Sequence, residues 1–591
     1  MAALYTTIWL SLLLFCAGEA GRWTGGERGR TPAKWAWWAY AAGAALCVVH
    51  IVVAMAVAHG WSHASAVEAT ARQTAAVYGL DWGGGVFVNY LFVAVWLLEA
   101  WRWRSRGPGR RVDAITWAAR ILFLIVIVNG AVVFASSARR IAGAAIVAVL
   151  LWIYFRRGRG KVSVMVRAVL IVTLVAAGLA AAPPQPAGQA AVRALTGVRI
   201  VPLGVSPGIE NATIIIRDGR IVALGAAGKF PVPAGAEITK LDGKFVVPGL
   251  ISAHAHVSDV DGLKPRAYTM ANTLRQLGVF ARYGITTVWS LGGEQAPAFE
   301  ARDTQSVATL NRARIYLAGE VVTGATPEAA RAAVARVAAM KADVIKIRVD
   351  DNLGSTTKMA PDVYRAVIDE AHTHKLRVAA HIFYLDDAKD LLRAGVDAIV
   401  HSVRDRDVDE EFLSLMKSAQ VPYVPTLTRE ISTFVYESTP EFFGDPFFLK
   451  EADAAVVAQL KEPARQSAMR DSRNAQRYKA GLEIAKRNLK RIADAGILIA
   501  MGTDAGPSPE RFVGYFEHLE MQMMVDAGMT PAQVLRAATV DAARAMRVDG
   551  IGSLVPGAWA DLVVLDQDPL RDIRNTRRIA GVWIAGNPVT R

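Results

Sequence analysis

At 591 residues the chain is longer than one ordinary domain, and a hydrophobic fraction of 53% is high for a purely soluble enzyme. A formal charge of +14 would suit a nucleic-acid partner, but residues 1–183 carry 18 Lys and Arg against 6 Asp and Glu, +12 of that total. Basic residues set between apolar runs answer to membrane topology, so no nucleic acid is expected, and two cysteines, Cys16 and Cys47, exclude a disulfide framework and a cysteine metal cluster.

A helix needs about 20 apolar residues to span a bilayer. Residues 1–183 offer six candidates, at 3–19, 36–58, 85–101, 118–137, 141–155 and 164–183. Alternate linkers are basic: Arg22, Arg28, Arg30 and Lys34 in the first, Arg102 to Arg120 in the next, Arg156 to Arg167 in the last. The positive-inside rule puts these in the cytoplasm. The N-terminus then lies outside, and everything after residue 183 is expected to be extracytoplasmic, on a multi-pass membrane protein. The last span has other readings. Met165-Val166-Arg167 followed by Ala168–Ala182 has the form of a secretory signal ending in a small-residue site, Ala180-Ala181-Ala182. An uncut helix, a cut internal signal and a start at Met165 all stay open. His50 is the one notable polar residue inside the spans.

Residues 184–194 form a Pro- and Gly-rich linker. Short alternating runs follow at Gly197–Val201, Ala212–Arg217, Arg220–Leu224 and Lys244–Val247, with Asp218-Gly219 as a hairpin turn. Ala560–Leu565 and Ile579–Ile584 read alike. Strands at both ends of one long segment predict a small β-sandwich domain of residues 195–248 with 550–591. Between them, residues 249–549 alternate apolar runs with amphipathic helical stretches such as Pro327–Ala342 and Arg477–Ala495. The runs are Leu250–His256, Ile285–Leu291, Arg314–Gly319, Asp343–Val349, Arg377–Phe383, Ala398–Val403, Tyr423–Thr428 and Ile497–Thr503. Eight such units predict a (β/α)8 TIM-type barrel, with its chemistry at the C-terminal strand ends. The fold class is therefore α/β, preceded by an all-α transmembrane region.

The strand ends carry a pattern. His254 and His256, two residues apart on a strand, point to one face and make a natural start for a metal site. Strand four carries Lys346, strand five ends in His381, strand six in His401 and strand eight in Asp504. With Pro248-Gly249-Leu250-Ile251 before His254-Ala255-His256, Gly502-Thr503-Asp504 at the other end, and the tail Gly552–Leu565, residues 195–591 resemble the amidohydrolase superfamily, in its imidazolonepropionase-like and prolidase-like branch.

The resemblance implies two divalent metal ions, zinc before manganese, cobalt or nickel. His254, His256 and Asp504 would hold one, and His381 and His401 the second. Lys346, carboxylated on its side-chain nitrogen, would bridge both. It further implies hydrolysis of an amide, peptide or cyclic amide C–N bond by a metal-bridged hydroxide, with Asp504 moving the proton. The chain departs from the pattern after Lys346, reading Ile347-Arg348-Val349-Asp350-Asp351-Asn352 in place of a glycine-rich turn, and after His401, where Ser402-Val403 follows. Substrate contacts are expected from Arg348, Arg404, Tyr423 and Thr426, with Arg406, Arg429 and His518 as further candidates. An arginine there would pair with a substrate carboxylate. The expected partners are a small amide or peptide, the lipid bilayer through residues 1–183, and a second copy of the chain in a homo-oligomer. Two other readings stand beside this one: an esterase or lactonase on the same metals, and a non-catalytic ligand-binding membrane sensor.

Overall fold

The computed structural model describes residues 2–25, 34–57, 82–106, 113–129, 192–204 and 208–590, with isolated positions in 61–74 and 143–154. It divides into two compact units, Met1–Gly188 and Gln189–Arg591. The expected span at 164–183, with its signal-like reading, and linker residues 184–191 lie outside the described residues, as do parts of the spans at 118–137 and 141–155.

The first unit is helical: α1 (Ala2–Gly25), α2 (Lys34–Val57), α3 (Gly85–Arg106) and α4 (Ala114–Val128). Two of these, Lys34–Ala56 and Gly85–Ser105, are long and apolar enough to cross a membrane by length and composition, a test that a soluble protein's core helix or a signal sequence also passes. Their packing is aromatic, with Phe15, Tyr40, Trp96 and Phe123 stacked edge to face or tilted at centroid distances from 4.9 to 6.2 Å. His50 is not the notable polar residue here. Glu19 and Arg120 form a buried ion pair at 2.7 Å, joining α1 to α4. Glu99 on α3 takes Arg102 at 2.9 Å and the Thr116 hydroxyl at 3.0 Å. Charges buried in an apolar bundle persist only when paired, and partners 101 positions apart leave no periodic signal.

In the second unit, β1 (Arg193–Ile200), β2 (Ile209–Arg217), β3 (Arg220–Ala226), β4 (Glu237–Lys240), β5 (Phe245–Pro248), β15 (Leu562–Leu565), β16 (Ile579–Ile584) and β17 (Asn587–Pro588) build the terminal β region. Hydrogen bonding joins the strands of both ends, ordered β17-β16-β15-β5-β1-β2-β3 with β4 on β1. The reason is β5: it pairs parallel with β1 on one edge and antiparallel with β15 on the other, so strands from both ends of the region share one ladder. A buried Arg314–Asp561 pair at 2.7 Å, with Arg314 4.1 Å above the Trp559 ring, fastens this sheet to the segment between its two halves.

That segment holds β6 (Leu250–Ala255), a small hairpin of β7 (Val260–Asp261) and β8 (Lys264–Pro265), then β9 (Ile285–Ser290), β10 (Arg314–Leu317), β11 (Ile345–Val349), β12 (Val378–Ile382), β13 (Ala398–Val400) and β14 (Tyr423–Val424). Every position of β6, β9, β12 and β13 is buried, the run-on apolar signature of parallel strands covered on both faces. Helices such as Pro327–Ala339, Pro361–Thr373 and Arg473–Asp494 separate them. The parallel pairs fall in two sheets, β10-β9-β6 and β11-β12-β13-β14. Parallel bridges Val322 to Ile347, Tyr423 to Ile499 and Ala255 to Ala505 lie beyond them. This α/β content fits a TIM-type domain.

The eighth run, Ile497–Thr503, is not a full strand. It keeps a single bridge at Ile499, and a second lies just beyond it at Ala505, after the left-handed turn at Asp504 (φ 59°). The seventh is cut short likewise: Thr426 (φ 51°) opens the helical turn Leu427–Ile431.

Candidate metal centre

The strand ends bring the sequence-selected residues into one chain of contacts. Lys346 Nζ lies 3.4 Å from His254 Nε2. His254 Nε2 is 3.4 Å and His256 Nε2 2.9 Å from Asp504 Oδ1. The His254 and His401 rings are 4.6 Å apart by centroid, and those of His401 and His381 4.0 Å. Gly502 permits the approach of the eighth run to β6, since a Cβ there would stand 2.6 Å from the His254 amide nitrogen.

Three of the four histidines are held through one ring nitrogen. His256 Nδ1 donates to the Gly292 carbonyl (2.8 Å). That turn is set by buried Glu294, which accepts from Ser290 Oγ and the Gly292 and Gly319 amides. His401 Nδ1 lies 2.7 Å from Thr426 Oγ1, and His381 Nε2 donates to Asp350 Oδ2 at 2.8 Å. His401, Thr426 and Asp504 all have positive φ, 73°, 51° and 59°, a strain that collects at functional sites. Behind the centre, Glu517 accepts from Ser252 Oγ (3.0 Å), Thr503 Oγ1 (2.8 Å) and the Gly514 amide. Glu520 accepts from the Leu427 and Thr428 amides and the Thr428 hydroxyl, each at 2.7 Å.

Electrostatics follow from burial. Burial lowers His254 well below the usual histidine range, with Lys346 adding to the effect, and brings His381 down to about 3 against the pull of Asp350. His401 is lowered by burial and by the neighbouring His381 and His254. Burial also brings Lys346 down to about 7. For Asp504 burial works the other way, yet Arg511 and the histidines hold its carboxyl well below the usual carboxylate range. His256 is the exception: burial lowers it, yet its hydrogen bond to Asp504 and that carboxylate's charge raise it overall. The neutral imidazoles of His254 and His401 beside a carboxylate are metal-ligand chemistry. Donor atoms of His254, His401 and Asp504 lie within 4.8 Å of one another, and buried His254 Nδ1 has no hydrogen-bond partner among the described residues. The donor set therefore fits a divalent cation.

The proposed substrate contacts divide. Arg348 is the open one, 42% exposed, with Nη2 3.5 Å from Asp350 Oδ2. Arg404 is buried, donating Nη1 to the Ile382 and Ser402 carbonyls and pairing with Glu430 at 3.0 Å. The Tyr423 hydroxyl accepts from the Val403 amide, and Thr426 is engaged with His401. His518 is buried on the helix Tyr515–Asp526, donating Nε2 to the Tyr283 carbonyl, with Nδ1 3.0 Å from Thr576 Oγ1. These four are buried; Tyr423, Thr426 and His518 have their polar atoms engaged by neighbouring backbone or side chains and support the framework, while Arg404 is held through Nη1 and its Glu430 pair and keeps Nη2 without a hydrogen-bond partner among the described residues. Arg406 is on the surface with Asp386. Three residues that sequence reasoning missed stand here instead. Asp350 holds His381, Arg511 Nη1 donates to Asp504 Oδ2, and Glu517 joins β6 to the eighth run. Glu517 and Glu520 had a readable signal, two acids three apart on a largely apolar helix; Asp350 and Arg511 sit in loops with none.

Compared with known proteins, residues 245–589 match the profile of the Amidohydrolase family. The chain is similar to an uncharacterised protein of Mycobacterium tuberculosis, 29% identical over 379 residues, 61% of this chain and 88% of that protein. It is also similar to the imidazolonepropionase of Streptomyces coelicolor, 24% identical over 411 residues, 65% and 93%. Among solved structures, a Xaa-Pro dipeptidase with bound methionine in its active site has the same fold, with a TM-score of 0.55 at 21% identity over 68% of this chain and all of that one.

Proposed function

This chain belongs to the amidohydrolase family and is a hydrolase of carbon–nitrogen bonds, and from that premise we propose that it is a membrane-tethered, metal-dependent amidohydrolase of a small amide, peptide or cyclic amide. His254, His256 and Asp504 would hold one metal ion, His381 and His401 a second, and carboxylated Lys346 would bridge them. Divalent ions, most simply zinc, supply electrophilic activation of the substrate carbonyl and of water. The chain's own residues do the rest. Asp504, held as a carboxylate by Arg511, takes a proton at Oδ1 and passes it to the leaving nitrogen. Gly292, Thr426 and Asp350 each occupy one ring nitrogen of His256, His401 and His381 and so leave the other for a ligand role. A lysine brought down to about 7 is neutral often enough near physiological pH to react with carbon dioxide, whereas an ordinary ammonium is not. Residues 195–248 with 550–591 would form the small β domain, 249–549 a closed (β/α)8 barrel, and 1–183 a six-span anchor that leaves the hydrolase extracytoplasmic.

The observation that carries this reading is the convergence of His254, His401 and Asp504. It is tested on the purified full chain in detergent by metal content, together with turnover of matched amide and ester pairs. Bound metal with amide turnover is expected. Faster turnover of the ester or lactone partners would replace the amide reading with the esterase one, and a chain with no measurable metal affinity would sink the mechanism.

A further inference from the structure

His401 follows β13 directly, and its Nδ1 stands 2.7 Å from Thr426 Oγ1. Thr426 is fully buried and left-handed (φ 51°, ψ 51°), a conformation that a β-branched residue keeps only where its surroundings dictate it. Here the two peptide planes that flank it are both pinned. The Pro425 carbonyl accepts from Ser402 Oγ at 2.9 Å, which constrains φ. The Leu427 amide donates to Glu520 Oε1 at 2.7 Å, which constrains ψ. With both angles held, the stiff side chain is aimed at the histidine.

Glu520 is fully buried on the helix Tyr515–Asp526. Its other oxygen accepts from the Thr428 amide and the Thr428 hydroxyl, each at 2.7 Å. Three donors thus converge on a group that, ionised, can only accept. One turn earlier, Glu517 ties the same helix to β6 and the eighth run through Ser252 and Thr503. Glu520 is therefore presented by an element already in register with the strand ends of His254, His256 and Asp504. The turn it holds is closed on itself as well. The Arg429 amide donates to the Thr426 carbonyl, and the buried Arg429 side chain packs on the Tyr478 ring, hydrogen-bonds Tyr478 and pairs with Glu430. His256 is served by the same device: buried Glu294 accepts from the Gly292 amide, and the Gly292 carbonyl accepts from His256 Nδ1.

Resting on the metal reading of this centre, we infer that Glu520 is a positioning residue for His401. Acting through the Leu427 amide, it holds Thr426 where Oγ1 accepts from His401 Nδ1–H. A neutral imidazole carries one proton, so a proton kept at Nδ1 leaves the Nε2 lone pair for a cation. A turn free to relax would let the Thr426 hydroxyl donate instead, and Nε2 would then carry the proton.

The experiment uses the metal-free full chain in lipid vesicles, with its 10 histidines labelled with ¹⁵N. Solid-state NMR reads which ring nitrogen is protonated, and the His401 signal is identified by its loss in His401→Gln. Wild type is expected to show Nδ1–H. Glu520→Gln sets an amide donor against the donors of Leu427 and Thr428, and should move His401 signal to Nε2–H. Thr428→Val removes one of the three donors and should move less of it. A role confined to holding the fold together would lower stability without changing the tautomer. A wild type protonated at Nε2, or a Glu520→Gln chain with the wild-type signal, would overturn the assignment; if Glu520→Gln does not fold, Thr428→Val decides in its place. Zinc titration of the same chains adds a second arm. Glu520→Gln and Thr426→Val should each weaken zinc binding about 10- to 100-fold, and together no more than the larger single loss, because both act on one path. Additive losses would overturn the route through Thr426. A wild type that binds no zinc would sink the metal reading, and the tautomer would still decide what Glu520 does to His401.

Discussion

Asp350 accepts a hydrogen bond from His381 Nε2 at 2.8 Å, with its own side chain fully buried. Its Oδ1 also accepts from the Asn352 amide, which fixes the carboxylate in place. The polar run after Lys346, where the family resemblance leads one to expect glycines, thus determines which nitrogen of His381 is free. Asp350→Ala is expected to weaken metal affinity about 10- to 100-fold, the usual cost of losing a partner that orients a ligand, and Asp350→Asn less, because an amide oxygen still accepts. Competitive metal titration of the full chain reads this directly. Unchanged affinity in Asp350→Ala would show that His381 is not a ligand or needs no orientation.

Asp504 is expected to separate from the histidines. Asp504→Asn keeps size and an oxygen donor but cannot take the proton, so most metal should remain while turnover falls roughly 10²- to 10⁴-fold. His381→Ala and His401→Ala should instead lose metal first, with activity following occupancy. Metal content and kcat measured on the same preparations distinguish the two patterns. Near wild-type turnover in metal-replete Asp504→Asn would assign the proton to another group.

Lys346 predicts a pH dependence of stability. Burial brings it down to about 7, against 10.5 in an unfolded chain. Between those values the unfolded chain binds a proton that the folded chain does not, so the stability of metal-free protein should rise with pH from about 7 to 10.5. Lys346→Met should flatten that rise in urea unfolding at pH 7 and pH 9. Lys346→Ala should also lose metal, and short carboxylic acids should restore part of the activity by standing in for the carbamate. A wild-type slope identical to that of Lys346→Met would remove the lysine from the buried centre.

Topology is checked by fusion. A reporter active only outside the cytoplasm should work when joined at residue 591 and stay silent when joined near Arg106. The opposite pattern would reverse the orientation of every span.

Much of the site was legible because strand ends are. A residue that closes an apolar run of a βα unit lies at a known end of its strand, and His254, His256, His381, His401 and Asp504 could be picked out that way without any contact being known, whereas Lys346 lies inside the fourth run and was singled out with the help of the family resemblance. Arg511 could not. It follows Asp504 by seven positions in a loop without periodicity, and only the left-handed turn at Asp504 brings the two together. Arg404, expected on a loop, and Tyr423, expected on the seventh run, are both buried, with Arg404 donating to the Ile382 carbonyl and Tyr423 accepting from the Val403 amide, because sequence position does not give side-chain direction. In the helical unit, Glu19 and Arg120 each looked like the border of a span, and their pairing is a long-range fact. In the β region the strands were readable but their order was not, since it depends on β5 serving two neighbours.

The tie between Ser252 and Glu517 spans 265 positions, and that between His256 and Asp504 spans 248. On a ribosome adding about 5–20 residues per second, roughly 12 to 50 s separate the emergence of the first histidines from that of the acid beside them. Throughout that interval the nascent chain displays His254 and His256 without Asp504, without Glu517 to brace the strand, and without β15 to cover β5. An isolated pair of imidazoles cannot retain a cation as the full donor set would, so on the proposed metal reading any loading would wait for Asp504 to emerge. Truncation before Leu565 leaves the sheet unfinished, and truncation before Glu517 removes the brace as well. Contacts this distant in sequence place the second unit among slow-folding topologies.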